Sequence, residues 1–183
     1  FVEIANKKAY DVLVLDGVLD SHFINTLEQK LEKTQFRRVD SDTIDKLIVK
    51  DEKIDSVLSQ EDQDKLKGIF EKAISNPSMT VVIDSMAPDN LPVTVTMSEW
   101  SRRMKDMAKT GGGMYSFMGS MPDQYAVSVN SNHKVAQKIL QAGDEAQQTR
   151  LAKQAYDLAL LSQGMLTGAD LTDFIRRSVD LVS

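Results

Sequence analysis

The chain contains no cysteine. Disulfides, thiolate metal sites and a cysteine nucleophile are therefore excluded, and the composition suits a reducing, cytoplasmic setting. Histidine is almost as scarce. His22 and His133 stand far apart, and neither has a partner at metal-ligand spacing. Both read as surface or capping residues. No apolar run approaches the ~18 residues that cross a bilayer, and Phe1 opens into mixed apolar and charged sequence without a signal-peptide pattern. A chain that starts on Phe in mid-pattern is expected to be an excised piece of a longer protein. The one glycine run, Gly111 to Gly113, lacks the following Lys-Ser/Thr of a phosphate loop and does not follow a strand. It reads as a flexible connector. No nucleophile-elbow motif is present. The net charge of −5 argues against a basic face for nucleic acid. No catalytic, metal or cofactor-binding residue is assigned.

What is present is an ordinary globular composition. The 183 residues suffice for one large domain, or one domain plus part of another, and for burying about 70% of the unfolded surface. Residues 1–40 read as α/β. Asp11-Val-Leu-Val-Leu15 suits a buried strand, Asp16-Gly17 breaks it, and Asp20 and Ser21 offer caps for a helix carrying Phe23, Ile24, Leu27 and Leu31. Phe36 to Val39 reads as a second strand. Residues 40–67 are charge-dense and free of proline and glycine. Ile44, Leu47 and Ile48 there give patchy helical spacing.

Ser59 with Asp62 three positions on resembles a capping start for a helix carrying Leu66, Ile69, Phe70 and Ile74, which stops near Asn76-Pro77. Thr80–Ile83, Val93–Thr96 and Tyr125–Val129 are β-rich runs. Asn130-Ser-Asn132 offers a cap for a short helix through Val135, Ile139 and Leu140, ended by Gly143. The end of the chain reads as two amphipathic helices. One carries Leu151, Ala155, Leu158 and Leu161, the other Leu171, Phe174, Ile175, Val179 and Val182, with Gly164 and Gly168 bracketing the turn. Such a hairpin leaves an apolar face over, and a two-fold four-helix bundle is the simplest way to bury it. These nine residues are the candidate dimer interface.

Six of the nine methionines fall between Met97 and Met121, together with the only tryptophan, Trp100. Met97, Trp100, Met104 and Met107 are spaced by three, four and three, which predicts one helical stripe, with Ser98 as its cap. Arg102, Arg103, Lys105, Asp106 and Lys109 take the other faces. The stripe fits a core helix. It also fits a contact surface, because methionine re-packs around varied apolar shapes, glycines follow it, and arginine flanks it.

Five short segments resemble the ninety-kilodalton heat-shock chaperones. They are Tyr10 to Asp16, Glu99-Trp-Ser-Arg-Arg-Met104, Met114-Tyr115, Val127 to His133, and Asp173-Phe-Ile-Arg-Arg177. The last of these, with the ending Leu181-Val-Ser183, looks like the bacterial branch. The resemblance runs from end to end. It implies an α+β fold with a small mixed three-stranded sheet and a C-terminal helical hairpin that forms a dimeric four-helix bundle. Residues 1–42 would be the α/β end of the family's middle domain and residues 43–183 its C-terminal dimerisation domain. The implied role is dimerisation and contact with unfolded or partly folded clients. Trp100 and Met104 match the family's client-contact pair. Met107 joins them by spacing, and Met97, Met114, Phe117 and Met118 by extension.

ATP and magnesium sites would lie in upstream domains, so this piece itself is expected to be no enzyme and to hold no cofactor. The expected partners are a second copy and client proteins, with no nucleic acid, no membrane and no tetratricopeptide co-chaperone. The glycines at 111–113 are not a feature associated with the family. Two other readings stand beside this one. In the first, a small-ligand or enzyme accessory domain uses residues 1–40 around Asp16, Asp20 and His22. In the second, a plain adaptor buries Trp100 within one protomer.

Overall fold

The computed structural model describes residues 1–17, 19–43, 54–110 and 123–182. The chain forms two compact units. Phe1–Lys50 and Thr96–Gln124 make the first, and Asp51–Val95 and Tyr125–Ser183 the second.

In the first unit the described helices are α1 (Val2–Lys7), α2 (Asp20–Lys30) and α4 (Glu99–Thr110). Helix α1 is too short for periodicity to announce it, and it buries Ala5 against Ile4, Tyr10, Val12 and Val39. Helix α2 starts after Leu19, which makes no side-chain cap. The Asp20 carboxylate instead accepts the Gly17 N–H at 2.6 Å. Neither expected strand forms here. Residues 11–15 and 36–39 carry no strand, and Leu13, Val14 and Leu15 are exposed, Val14 by 87%. The physical reason is that an apolar run becomes a strand only beside another strand, since it must pair its backbone groups. No such partner lies next to this one among the described residues.

The second unit holds α3 (Gln60–Ile74), β1 (Met79–Asp84), β3 (Tyr125–Asn130), α5 (Lys134–Gln141), α6 (Glu145–Ser162) and α7 (Gly168–Val182). Strand β2 (Val93–Met97) completes a small mixed three-stranded sheet in the order β1-β3-β2. Strands β1 and β3 run parallel, in register from Met79↔Tyr125 to Asp84↔Asn130. The α+β class and the small sheet are as the sequence implies.

Helix α3 starts where expected. Ser59 Oγ accepts the Asp62 N–H at 3.1 Å and donates to the Asp62 carboxylate at 2.8 Å. Leu66, Ile69 and Phe70 then turn one face into the core. The helix stops at Ser75, whose φ of +46° is left-handed. The core joins these residues to Val81, Val93, Val95, Val127 and Val129 of the sheet and to Ile139, Ala152, Tyr156 and Leu160. Helix α6 is capped by Asp144, whose carboxylate accepts the Gln147 N–H at 2.7 Å. It ends in a Schellman turn: Met165 N–H bonds Leu160 C=O at 2.9 Å, and Gly164 N–H bonds Leu161 C=O at 3.0 Å. Gly164 takes the positive φ, +66°, that this turn requires.

The cap of α5 differs from expectation. His133, not Asn130 or Asn132, holds the N-cap, and its Nδ1 accepts the Val135 N–H at 3.1 Å. Ile44, Leu47, Ile48 and the glycine run lie outside the described residues.

Candidate functional site

Helix α4 carries the tryptophan. Ser98 caps it, with Oγ accepting the Ser101 N–H at 3.2 Å. Trp100 is 62% exposed, and Met104, one turn on, is half-buried; helical spacing puts the two side by side. Met97 departs from the predicted stripe. It is the last residue of β2, not part of the helix, and only 5% exposed. A β-rich run feeds directly into Ser98, so the strand claims this methionine before the helix begins. The side chain of Met107, and Met114, Phe117 and Met118 entirely, lie outside the described residues. The adaptor reading requires a buried Trp100, and its exposure is the opposite.

Charge holds α4 on two sides: Arg102 and Asp106 stand opposite Trp100, and Arg103 stands at the flank of the stripe. Arg103 reaches Glu28 with both η nitrogens, at 2.7 and 3.1 Å, and donates to Asn25 Oδ1 at 3.0 Å and to the Phe36 carbonyl at 2.9 Å. Glu28 Oε1 also accepts the Phe36 N–H at 2.7 Å. The hydrogen bond from Arg103 holds the Glu28 carboxyl below the usual carboxylate range, against the opposing effect of burial. Arg102 pairs with Asp40 at 2.9 Å, and Arg38 pairs with Asp106 at 2.9 Å. The sequence places Arg102, Arg103 and Asp106 only on the faces of α4 other than the stripe. Their partners stand 60 or more residues away, beyond the reach of local periodicity.

The segment Val127 to His133 forms a buried polar latch in the second unit. Asn130 Oδ1 accepts the N–H groups of Met86 and Asn132 at 3.3 and 3.0 Å, and its Nδ2 donates to the Ala87 carbonyl at 2.9 Å. Asn132 Oδ1 accepts the Val57 N–H at 2.8 Å, and its Nδ2 donates to the carbonyls of Asp55 and Met86 at 3.0 and 3.1 Å. Ser131 meets Ser56 Oγ at 2.9 Å. Asn130 to Asn132, expected to cap a helix, instead tie together two loops and the end of the central strand.

The terminal hairpin presents two kinds of surface. Phe174 is buried at 9% exposure, and Leu151, Ala155 and Leu171 pack half-buried on the core. Leu158, Leu161, Ile175, Val179 and Val182 are exposed, and so is Leu181, which the predicted stripe omits. Between the helices, Asp157 is 1% exposed and is paired with Lys153 at 2.6 Å and with Arg177. Gln154 Nε2 donates to Ser178 Oγ at 2.7 Å. Burial, with help from the charges of Asp157 and Asp170, pushes the Tyr156 hydroxyl up to about 12. Lys153 lies 5.1 Å from the centre of that ring.

Asp16, Asp20 and His22 do not gather into a site. Asp16 and His22 are exposed, and Asp20 serves the Gly17 N–H. Among the described residues no three acidic or histidine side chains group as metal ligands, and no helix is long and apolar enough to cross a membrane.

The sequence has relatives among known proteins. The family model described as "Hsp90 protein" matches residues 1–183. A "Chaperone protein htpG" of Bacteroides fragilis is 32% identical over 249 aligned positions, covering 100% of this chain and 36% of the relative. The Bacteroides thetaiotaomicron protein of that name is 39% identical over 149 positions, covering 80% of this chain and 22% of the relative. That of Porphyromonas gingivalis is 32% identical over 248 positions, covering 99% and 36%. The chain spans about a third of the length of the first and third of these relatives. With the whole chain matched and these identities alongside, the chain belongs to the Hsp90 family of chaperones, in its bacterial HtpG type.

Proposed function

We propose that this chain is the dimerisation and client-contact part of an ATP-dependent cytoplasmic chaperone, with residues 1–42 closing its middle domain and 43–183 forming its dimerisation domain. The observation that carries the proposal is the exposed half of the terminal hairpin. Helix α6 is capped, and α6 and α7 are cross-linked through Asp157 and seated on a core, yet Leu158, Leu161, Ile175 and Val179 remain in solvent. Each such side chain gains about 1.5–3 kcal/mol on full burial. A second copy offers the identical stripe, so a two-fold bundle buries both at once.

Trp100 and Met104 supply the client surface in this reading. They are a large aromatic and an adaptable thioether on one turn, able to meet apolar segments without a sequence code. ATP binding and hydrolysis, with magnesium, belong to other parts of the parent protein. Sedimentation equilibrium of the chain at 10–50 µM tests the dimer. The expected mass is twice the 20.4 kDa of one chain, and a single-chain mass across that range overturns the proposal.

A further inference from the structure

Neither apolar cluster contains a described side chain of helix α4. Ion pairs tie it to its own unit. Arg102 pairs with Asp40, Asp40 lies 3.8 Å from Arg38, and Arg38 pairs with Asp106. Residues 102 and 106 are one turn apart, so this chain of four alternating charges leaves α4 and returns to the same face of it. Arg103 adds a forked pair to Glu28, reinforced by Asn25 and by the Phe36 carbonyl. By helical spacing, Arg102 and Asp106 stand nearly opposite Trp100 and Met104. The Arg102–Asp106 face is therefore docked, Arg103 is docked at the flank of the stripe, and Trp100 is left in solvent beside the half-buried Met104.

We propose that this ring and fork act as an electrostatic clasp that positions α4 within the first unit and so sets how Trp100 and Met104 are presented to a client. Arg102, Arg103 and Asp106 are positioning residues that need not touch the client. The consequence for clients rests on the function proposed above, but the clasp itself does not. Isolated surface pairs contribute little, whereas a forked Arg–carboxylate pair embedded in a network is the geometry in which ion pairs do hold structure. The paired side chains keep between 20% and 48% of their surface exposed, so the clasp responds to salt as a packed apolar contact does not.

Hydrogen exchange of the α4 amides in the full chain tests this. Arg103→Glu and Glu28→Arg each set like charges against each other. Either substitution is expected to speed α4 exchange at least tenfold, and the double exchange of charges to return it to within threefold of the parent. Arg150→Glu, which breaks the Arg150–Asp180 pair of the second unit, is expected to leave α4 unchanged. Unaltered exchange in both single variants overturns the clasp, and so does a double variant as fast as the faster single one.

If the reversals also loosen α3 and α6, the parent chain in 1 M NaCl decides instead. A rise confined to α4 supports the clasp, and no rise in α4 overturns it. Suppression of client aggregation by Trp100→Arg is read separately. If that variant keeps full activity, the client reading fails while the exchange result stands.

Discussion

Two adjacent residues of α7 give the proposed dimer its sharpest test. Phe174 is 9% exposed inside its own protomer, and Ile175 is 53% exposed. Full burial of an isoleucine side chain contributes roughly 1.5–3 kcal/mol. Completing the burial of Ile175 in a bundle is thus about 1 kcal/mol per protomer and about 2 kcal/mol for the two-fold pair. Ile175→Asp forfeits that gain and desolvates two carboxylates, each costing at least the roughly 1–3 kcal/mol of a neutral polar group. The total, at least about 4–8 kcal/mol, weakens association by roughly 10³ to 10⁶ or more. Because Ile175 lies on the surface, stability of the single chain should change by no more than about 0.5 kcal/mol.

Phe174→Ala is expected to do the reverse. It removes core packing, lowering unfolding stability by about 3–5 kcal/mol, and touches association only through that loss. Sedimentation velocity at 20 µM, with circular dichroism on the same samples, separates the two. An Ile175→Asp chain that remains dimeric with native helicity refutes the assignment of this face.

Three further predictions follow from the packing. His133 sits below its ordinary pKa, chiefly because burial disfavours its charged form, with Lys134 adding repulsion. The neutral ring caps α5, so stability is full above pH 6.5 and falls as pH drops from 6.5 toward the lowered value. Thermal melts from pH 7.5 to 5.5 should show this loss, and His133→Asn, a cap that does not titrate, should flatten it; an equal slope in both chains contradicts the account. Asp157→Ala leaves Arg177 and Lys153 without their buried acid and should cost about 3–5 kcal/mol in urea unfolding. A loss under about 1 kcal/mol would place the hairpin's cohesion elsewhere. Asn132→Ala strands the Val57 N–H and two carbonyls and should lower stability by roughly 2–4 kcal/mol, with faster hydrogen exchange at residues 54–58 as its local signature.

How much of this was legible in the sequence depends on the range of the interaction. The cap of α3 joins Ser59 to Asp62, only three residues apart, and the spacing of Leu66, Ile69 and Phe70 repeats every turn, so α3 could be read locally. The three strands of the sheet announce themselves by β-branched runs. Asp11 to Leu15 has the same composition yet forms no strand, because a strand is a property of a pair. Met97 fits both a strand end and a helical stripe, and only the fold chooses. Phe174 and Ile175 both belong to the predicted hairpin stripe, and packing on the core separates them. The pairs from Arg102 and Arg103 to Asp40 and Glu28 join parts of the chain that no window of periodicity spans.

The central claim is that this piece of chain carries two apolar faces with separate tasks, one for its twin and one for clients. The most direct measurement is suppression of a model client's aggregation by Trp100→Arg/Met104→Glu, with sedimentation of the same sample. The account predicts that suppression is lost while the protein remains a dimer. A double variant that suppresses aggregation as well as the parent chain would contradict it.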